Sequence, residues 1–233
     1  MLELLSYGDS GWGDEIIAGL SVTLSLALAT LPFGLLAGFF IALAQNSQDA
    51  TLRAAANIYT TVFRGLPELL TLFIVFYGLP LFLNAVYGLF HPAPDLQINN
   101  FLAGMLALGT VFSAYAAEVF QSAFRGIAKG QYEAGTSLGL SWIRTMRFVI
   151  VPQLLRLALP GLSNLWLILL KETALVSAIG LPDLLRQTGI AARVSKEAFL
   201  FFGVACLFYL LLSILSSFAI GYIERFTQRG EKI

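Results

Sequence analysis

Cysteine and histidine are almost missing from this chain, with one of each in 233 residues. A single Cys206 excludes an intrachain disulfide. Its setting in an apolar run reads as a packed or lipid-facing thiol. His91 stands in a Pro-rich stretch (His91, Pro92, Ala93, Pro94) with no Cys or second His beside it, so no metal site is expected. Charge is scarce too, at 12% of residues, and 14 basic residues balance 14 acidic ones, which leaves no footprint for nucleic acid. No Gly-x-x-x-x-Gly-Lys loop is present, so the chain is not expected to hydrolyse ATP itself. No catalytic residues are expected: zinc-type His/Cys spacing is lacking, and the lone His outside the apolar runs argues against a Ser–His intramembrane hydrolase. The N-terminus is acidic (Glu3, Asp9, Asp14, Glu15) and lacks the basic region of a cleavable signal, so the first apolar run is expected to remain as a span.

What fills the space is apolar. Hydrophobic residues make up 58% of the chain, with 19 Phe and 21 Gly, and the mean hydropathy is +0.79. Soluble domains carry about twice this share of charge. Lipid is therefore the expected solvent. Charge-free stretches long enough to cross a bilayer, about 20 residues each, give five spans at approximately 16–44, 67–87, 100–120, 157–181 and 198–223. Backbone groups in lipid must bond within their own segment, so these are predicted to be helices. The fold class is an all-α integral membrane protein of five spans in one domain, 1–233.

Orientation follows from Lys and Arg in the connections. Segments 45–66, 121–156 and 225–233 carry Arg53, Arg64, Arg125, Lys129, Arg144, Arg147, Arg156, Arg225, Arg229 and Lys232. The N-terminus and 84–100 carry none. The N-terminus is thus expected outside, in the periplasm, and the C-terminus in the cytoplasm. Segment 183–197 breaks the pattern with Arg186, Arg193 and Lys196, interleaved with apolar residues, and reads as a short amphipathic helix in the membrane interface.

The connection 121–156 is the largest and the most basic. It contains Glu133-Ala134-Gly135, three residues, Gly139, nine residues, then Val149-Ile150-Val151-Pro152. The residues alone suggest two short helices around a Gly break. Ala134, Gly135 and Gly139 would let another surface approach closely, and Pro152 would stop or bend the second piece. An ordinary loop is the alternative. The order of these residues resembles the Glu-Ala-Ala signature of ABC importer permeases, with Gly135 in place of the second Ala and Val149 and Val151 in place of Ile and Leu. Arg64-Gly65-Leu66-Pro67-Glu68, Ser113-Ala114-Tyr115 with Glu118, and Leu170-Lys171-Glu172-Thr173 with Gly180-Leu181-Pro182 extend the likeness to polar amino acid permeases, of the histidine, arginine, ornithine and opine group. The resemblance implies that the 121–156 loop docks on an ATPase dimer, which would bind ATP and magnesium while this chain binds no cofactor. It implies an inner-membrane location, a second permease (related or identical) and a periplasmic solute-binding protein.

Charges near or inside spans ask for a reason. Glu68 opens the second span and Glu118 is read as ending the third. Both either attract a cationic solute group or sit hydrated near the cytoplasmic face, paired with Arg64 or Arg125. Lys171 and Glu172 point about 100° apart on a helix. Lys171 could meet Glu118 or Glu68, snorkel, or face a substrate carboxylate. Asn164, Thr173 and Ser177 could line the same face through hydrogen bonds. The tyrosines and Trp12, Trp142 and Trp166 read as packing or interface-belt residues. The expected function is ATP-driven import of a polar, basic amino acid or an opine-like derivative. The alternative is a stand-alone secondary transporter or channel, although no internal repeat favours it.

Overall fold

The computed structural model describes residues 3–8, 11–89 and 97–228. The 91–94 stretch, Asp9, Arg229 and Lys232 lie outside them. Among the described residues five helical runs are long and apolar enough to cross a membrane: Gly13–Gln45, Glu68–Gly88, Asn100–Gly126, Trp142–Ile179 and Ala198–Thr227.

Helix α1 (Gly13–Gln45) and helix α5 (Asn100–Gly126) form the centre. The apolar window of α5 is 61% buried, against 11% for the Glu68–Gly88 run and for Ala198–Thr227. Small residues make this possible: Ala103, Ala107, Ala114, Ala116 and Ala117 are all buried. Without a water-driven hydrophobic effect between spans, close backbone approach supplies the packing. The two helices interlock through rings set on glycines. Phe112 of α5 lies on Gly34, and Phe33 of α1 lies on Gly109, so that a Cβ at either glycine would collide with the ring.

Between these helices in sequence lie elements that the charge pattern hid. Helix α2 (Ala50–Gly65) is amphipathic and lies in what reads as a connection. Asp49 caps it, accepting from the N–H of Thr51 at 2.8 Å and of Leu52 at 3.3 Å. It rests on its neighbours through buried Ala56 and Thr60. Gln45 Nε2 donates to Thr60 Oγ1 at 3.2 Å, and Tyr59 Oη bonds Ser113 Oγ at 2.8 Å. Leu66 is extended (φ −89°, ψ 142°), as a residue before proline prefers, and breaks the chain direction ahead of Pro67. Then follow α3 (Glu68–Phe73), a π-helical turn Ile74–Gly78, and α4 (Leu79–Gly88).

After α5 come α6 (Lys129–Ser137) and α7 (Trp142–Thr145), a second π turn Met146–Ile150, and α8 (Val151–Glu172). A 3₁₀ segment Thr173–Ile179 ends this run at Gly180, whose φ is +89°. Both π turns stand just before an X-Pro pair, Leu79-Pro80 and Val151-Pro152. Proline removes one N–H and crowds the carbonyl four residues back. Widening the preceding turn moves that carbonyl aside: the Val151 N–H reaches back five residues to Met146 O.

Helix α9 (Leu184–Ser195) matches the expected amphipathic helix. Its buried face (Leu184, Thr188, Ala191, Ala192) packs on α1 and on α10 (Ala198–Gln228). Asp183 caps it, accepting from Arg186 N at 3.1 Å and Leu185 N at 3.4 Å. Thr23 of α1 accepts from Leu184 N at 3.1 Å.

Asp183 is fully buried. Burial pushes its carboxyl up to about 6, an effect that the two cap N–H bonds and the Arg186 charge only partly offset. The folded-state value lies above the usual one, so ionisation works against folding. That cost is present above pH 6 and fades as the pH falls from 6 toward 4. Thermal melts of the purified chain should therefore show Asp183→Asn, which keeps the cap without the charge, gaining most at pH 7.5 and little at pH 4. Asp183→Ala should lose ~1 kcal/mol at pH 4, where the loss of the cap dominates.

Candidate functional site: an exposed elbow and a charged strip

The first site is the 121–156 elbow. Glu133 and Ala134 are exposed on α6. Beside them Leu138, Trp142 and Ile143 stand 66–78% exposed, a large apolar surface at the tip of an otherwise basic loop. Gly135 is buried, and a Cβ there would lie 2.5 Å from Thr145 Cγ2. Its lack of a side chain thus lets α6 lie on α7 of the same chain. The expectation that Gly135 clears space for another surface is corrected accordingly.

Gly139 also has a different reason from the expected one. Its φ is +72° and nothing lies within 4 Å of where a Cβ would sit. Gly139 N donates to Thr136 O at 2.9 Å and Leu140 N to Gly135 O at 3.0 Å. These two bonds form a Schellman motif, which places a left-handed residue at the position of Gly139. The glycine sets the turn between α6 and α7. Pro152 does not stop the second piece: the helical run continues from Trp142 to Ile179. Gln153 Nε2 ties the two arms, donating to Gln131 Oε1 at 3.0 Å and to Val149 O at 2.8 Å.

The second site is a strip of charge around the Gly65-Leu66-Pro67 break. Arg64 Nη1 pairs with Glu118 Oε1 at 3.3 Å, with the side chains 42% and 36% exposed. The guanidinium also lies 5.7 Å from the Tyr115 ring centre. Glu118 does not end its span: α5 runs on to Gly126, about 12 Å further at 1.5 Å per residue. Glu68 is near enough to Glu172 for the two charges to repel, and the Lys171 charge also acts on Glu172. Since Glu172 closes α8 and the 3₁₀ segment beyond it still lies within the span, Glu68 sits deeper than its place after a basic loop suggests.

Lys171 is exposed and makes no ion pair among the described residues. Asn164 is exposed two turns earlier on the same face of α8. Thr173 is different. It is fully buried and donates to Leu170 O at 2.7 Å, facing Tyr209 and away from open space. The structure thus sets Glu118 against Arg64 and Glu68 close to Glu172, with Asn164 on the face of Lys171, and leaves Thr173 buried. Sequence reasoning leaves Arg64 and Glu172 out of the expected pathway, although both stand in the blocks that carry the resemblance. No cluster of three or more metal-ligating side chains exists among the described residues.

Five spans around a basic elbow agree with the permease class that the sequence resembles. Residues 11–229 match the family described as binding-protein-dependent transport system inner membrane component, and the chain belongs to it. It is 38% identical to the nopaline transport system permease protein NocQ of Agrobacterium fabrum, over 98% of each chain. It is 37% identical to the histidine/lysine/arginine/ornithine transport system permease protein HisQ of Salmonella typhimurium, over 97% of each. A crystal structure of an amino acid ABC transporter with histidines superposes with a TM-score of 0.77 at 34% identity, covering 92% of this chain and 94% of that one. The MetNI methionine transporter, at 18% identity and a TM-score of 0.72, shares the fold. The chain is therefore a multi-pass inner-membrane subunit of an ABC importer, with ATP hydrolysed on a separate subunit. A stand-alone transporter is not favoured.

The elbow geometry makes a prediction. A β-branched residue at Gly139 would be forced into the left-handed region at a cost of ~1–2 kcal/mol, which Asn tolerates. Co-purification of the ATPase should fall for Gly139→Val and persist for Gly139→Asn. Equal retention by both would remove the turn from the docking surface.

Proposed function

We propose that this chain forms one half of the pathway for a basic amino acid or an opine-like derivative. The observation that carries this reading is the composition of the strip. Three carboxylates (Glu68, Glu118, Glu172) face two cations (Arg64, Lys171) around a helix break. The excess is negative, and a carboxylate in a poorly hydrated cleft attracts a cation more strongly than in water. The names of the relatives, nopaline and histidine/lysine/arginine/ornithine transporters, support the same class of solute.

In this mechanism the N-terminus is periplasmic, and a binding protein delivers the solute from that side. A cationic group of the solute takes Glu118 in place of Arg64, with Glu68 adding to the attraction. Lys171 and Asn164 receive the carboxylate end. The ATPase dimer, holding ATP and magnesium, closes against the elbow around Glu133, Ala134 and Leu138. The unbroken Trp142–Ile179 run carries that motion to Lys171 and Glu172. A second permease, identical or related, completes the pathway.

The reading is tested with the importer in proteoliposomes, assembled with its ATPase, partner permease and binding protein. Glu118→Gln and Glu68→Gln should each lower uptake of labelled arginine or nopaline about tenfold, the size of one lost charge-assisted contact. Uptake of a neutral amino acid should change little. An equal drop for both solutes would take these carboxylates out of the selectivity. Transport with no ATPase present would overturn the coupling.

A further inference from the structure

A cavity of about 790 Å³ opens at the foot of the bundle, away from the charged strip. Three elements meet there: the end of α1 and the corner after it, the end of α5, and the elbow. Its lining is of two kinds. Phe40, Phe124 and Trp142 supply apolar surface, while Asn46, Ser47 and Arg125 supply polar groups. The volume falls within the range of about 300–1,000 Å³ typical of small-molecule sites.

The aromatic rim and the Arg125 charge are left open by the chain itself among the described residues, whereas Asn46 Nδ2 donates to Ala42 O at 2.8 Å and Ser47 Oγ accepts from Asp49 N at 3.1 Å. Phe40 is 63% exposed and Trp142 66% exposed. Arg125 is exposed and makes no ion pair among the described residues. A second guanidinium stands at the rim, where Arg53 Nη1 donates to Ser47 O at 2.9 Å. The carboxylate nearest in sequence, Asp49, is committed to the N–H groups of Thr51 and Leu52. Across 45–63 and 121–156, six Lys and Arg stand against Asp49 and Glu133 alone. The field here is positive.

We propose that this cavity binds an anionic glycerophospholipid of the surrounding leaflet. Its phosphate sits against Arg125 and the Asn46–Ser47 corner, and one acyl chain lies along Phe40, Phe124 and Trp142. The alternatives satisfy only half the lining. A soluble anion pairs with Arg125 and leaves the aromatic wall in water. A zwitterionic lipid covers that wall but brings a cation beside two guanidiniums. Basic pockets between spans near the cytoplasmic face suit anionic headgroups. The bound lipid spans from α1 and α5 to the elbow, so the leaflet's charge bears on how the elbow is held.

The test uses the full-length chain in nanodiscs of matched leaflets, so its outcome does not depend on the proposed orientation or on transport. With Trp12→Phe and Trp166→Phe, Trp142 is the sole indole. Phosphatidylglycerol with brominated acyl chains should quench it at roughly fivefold lower mole fraction than phosphatidylcholine carrying the same chains. Arg125→Gln should abolish that preference and Arg125→Lys should keep it. Native mass spectrometry of the unmodified chain, which needs no Trp substitution, should show retained phosphatidylglycerol that Arg125→Gln loses. Equal quenching by both lipids, or a preference that survives Arg125→Gln, overturns the proposal. So does loss of the preference in excess inorganic phosphate, which would mark a soluble anion as the ligand. Absence of quenching by either lipid would assign the cavity to a protein partner and equally overturn it.

Discussion

One continuous helical run, from Trp142 to Ile179, holds the rest together. Its near end carries the elbow that meets the ATPase in the proposed mechanism. Its far end carries Lys171 and Glu172. Helical backbone hydrogen bonds satisfy their own donors and acceptors, which lipid demands, and they also resist bending along their length. Pro160 removes one N–H inside α8, and other features set the run's course and its end. The π turn at Met146–Ile150 absorbs Pro152 without a break, Gln153 clamps the run to α6, and Gly180 ends it in a left-handed turn. Around it, α1 and α5 interlock so tightly through Gly34, Phe112, Phe33 and Gly109 that they form a fixed frame.

In the proposed mechanism the part of the pathway that moves lies on the other side of the strip. The segment from α2 to α4 is broken at Leu66-Pro67 and widened at Ile74–Gly78, and little of its apolar window is buried. Arg64 and Glu68 flank the break, opposite Glu118 on the frame and Glu172 on the run. In the proposed mechanism a charged solute replaces the Arg64–Glu118 pair, whose side chains are 42% and 36% exposed.

Much of the architecture is legible in the sequence because lipid leaves few choices. Charge-free stretches mark the five spans, and the order Glu133, Ala134, Gly139, Pro152 marks the elbow. The missed helix limits share a cause: an apolar boundary is not a helix boundary. Arg125 and Arg156 lie inside α5 and α8, so these helices run past the expected limits of 120 and 157. Arg53, Asn57 and Arg64 hide α2, whose buried stripe is only Ala56 and Thr60. Gly135 and Gly139 read in sequence as clearance for a partner, whereas one packs within the elbow and the other shapes its turn. Thr173 shares a sequence block with Lys171 but turns to the buried side. Which face a residue takes near a change from α to 3₁₀ winding cannot be counted from the sequence.

The rigidity of the run is most directly measured by pulsed electron spin resonance on the assembled importer. Spin labels replacing Ile143 and Ala178, two exposed positions about 50 Å apart at 1.5 Å per residue, report its internal length. A second pair, replacing Ile143 and Ile58, reports its movement against α2. A rigid run keeps the first distance constant when ATP binds and changes the second. A change in the first distance, with the run bending at the π turn before Pro152, would contradict transmission by a rod.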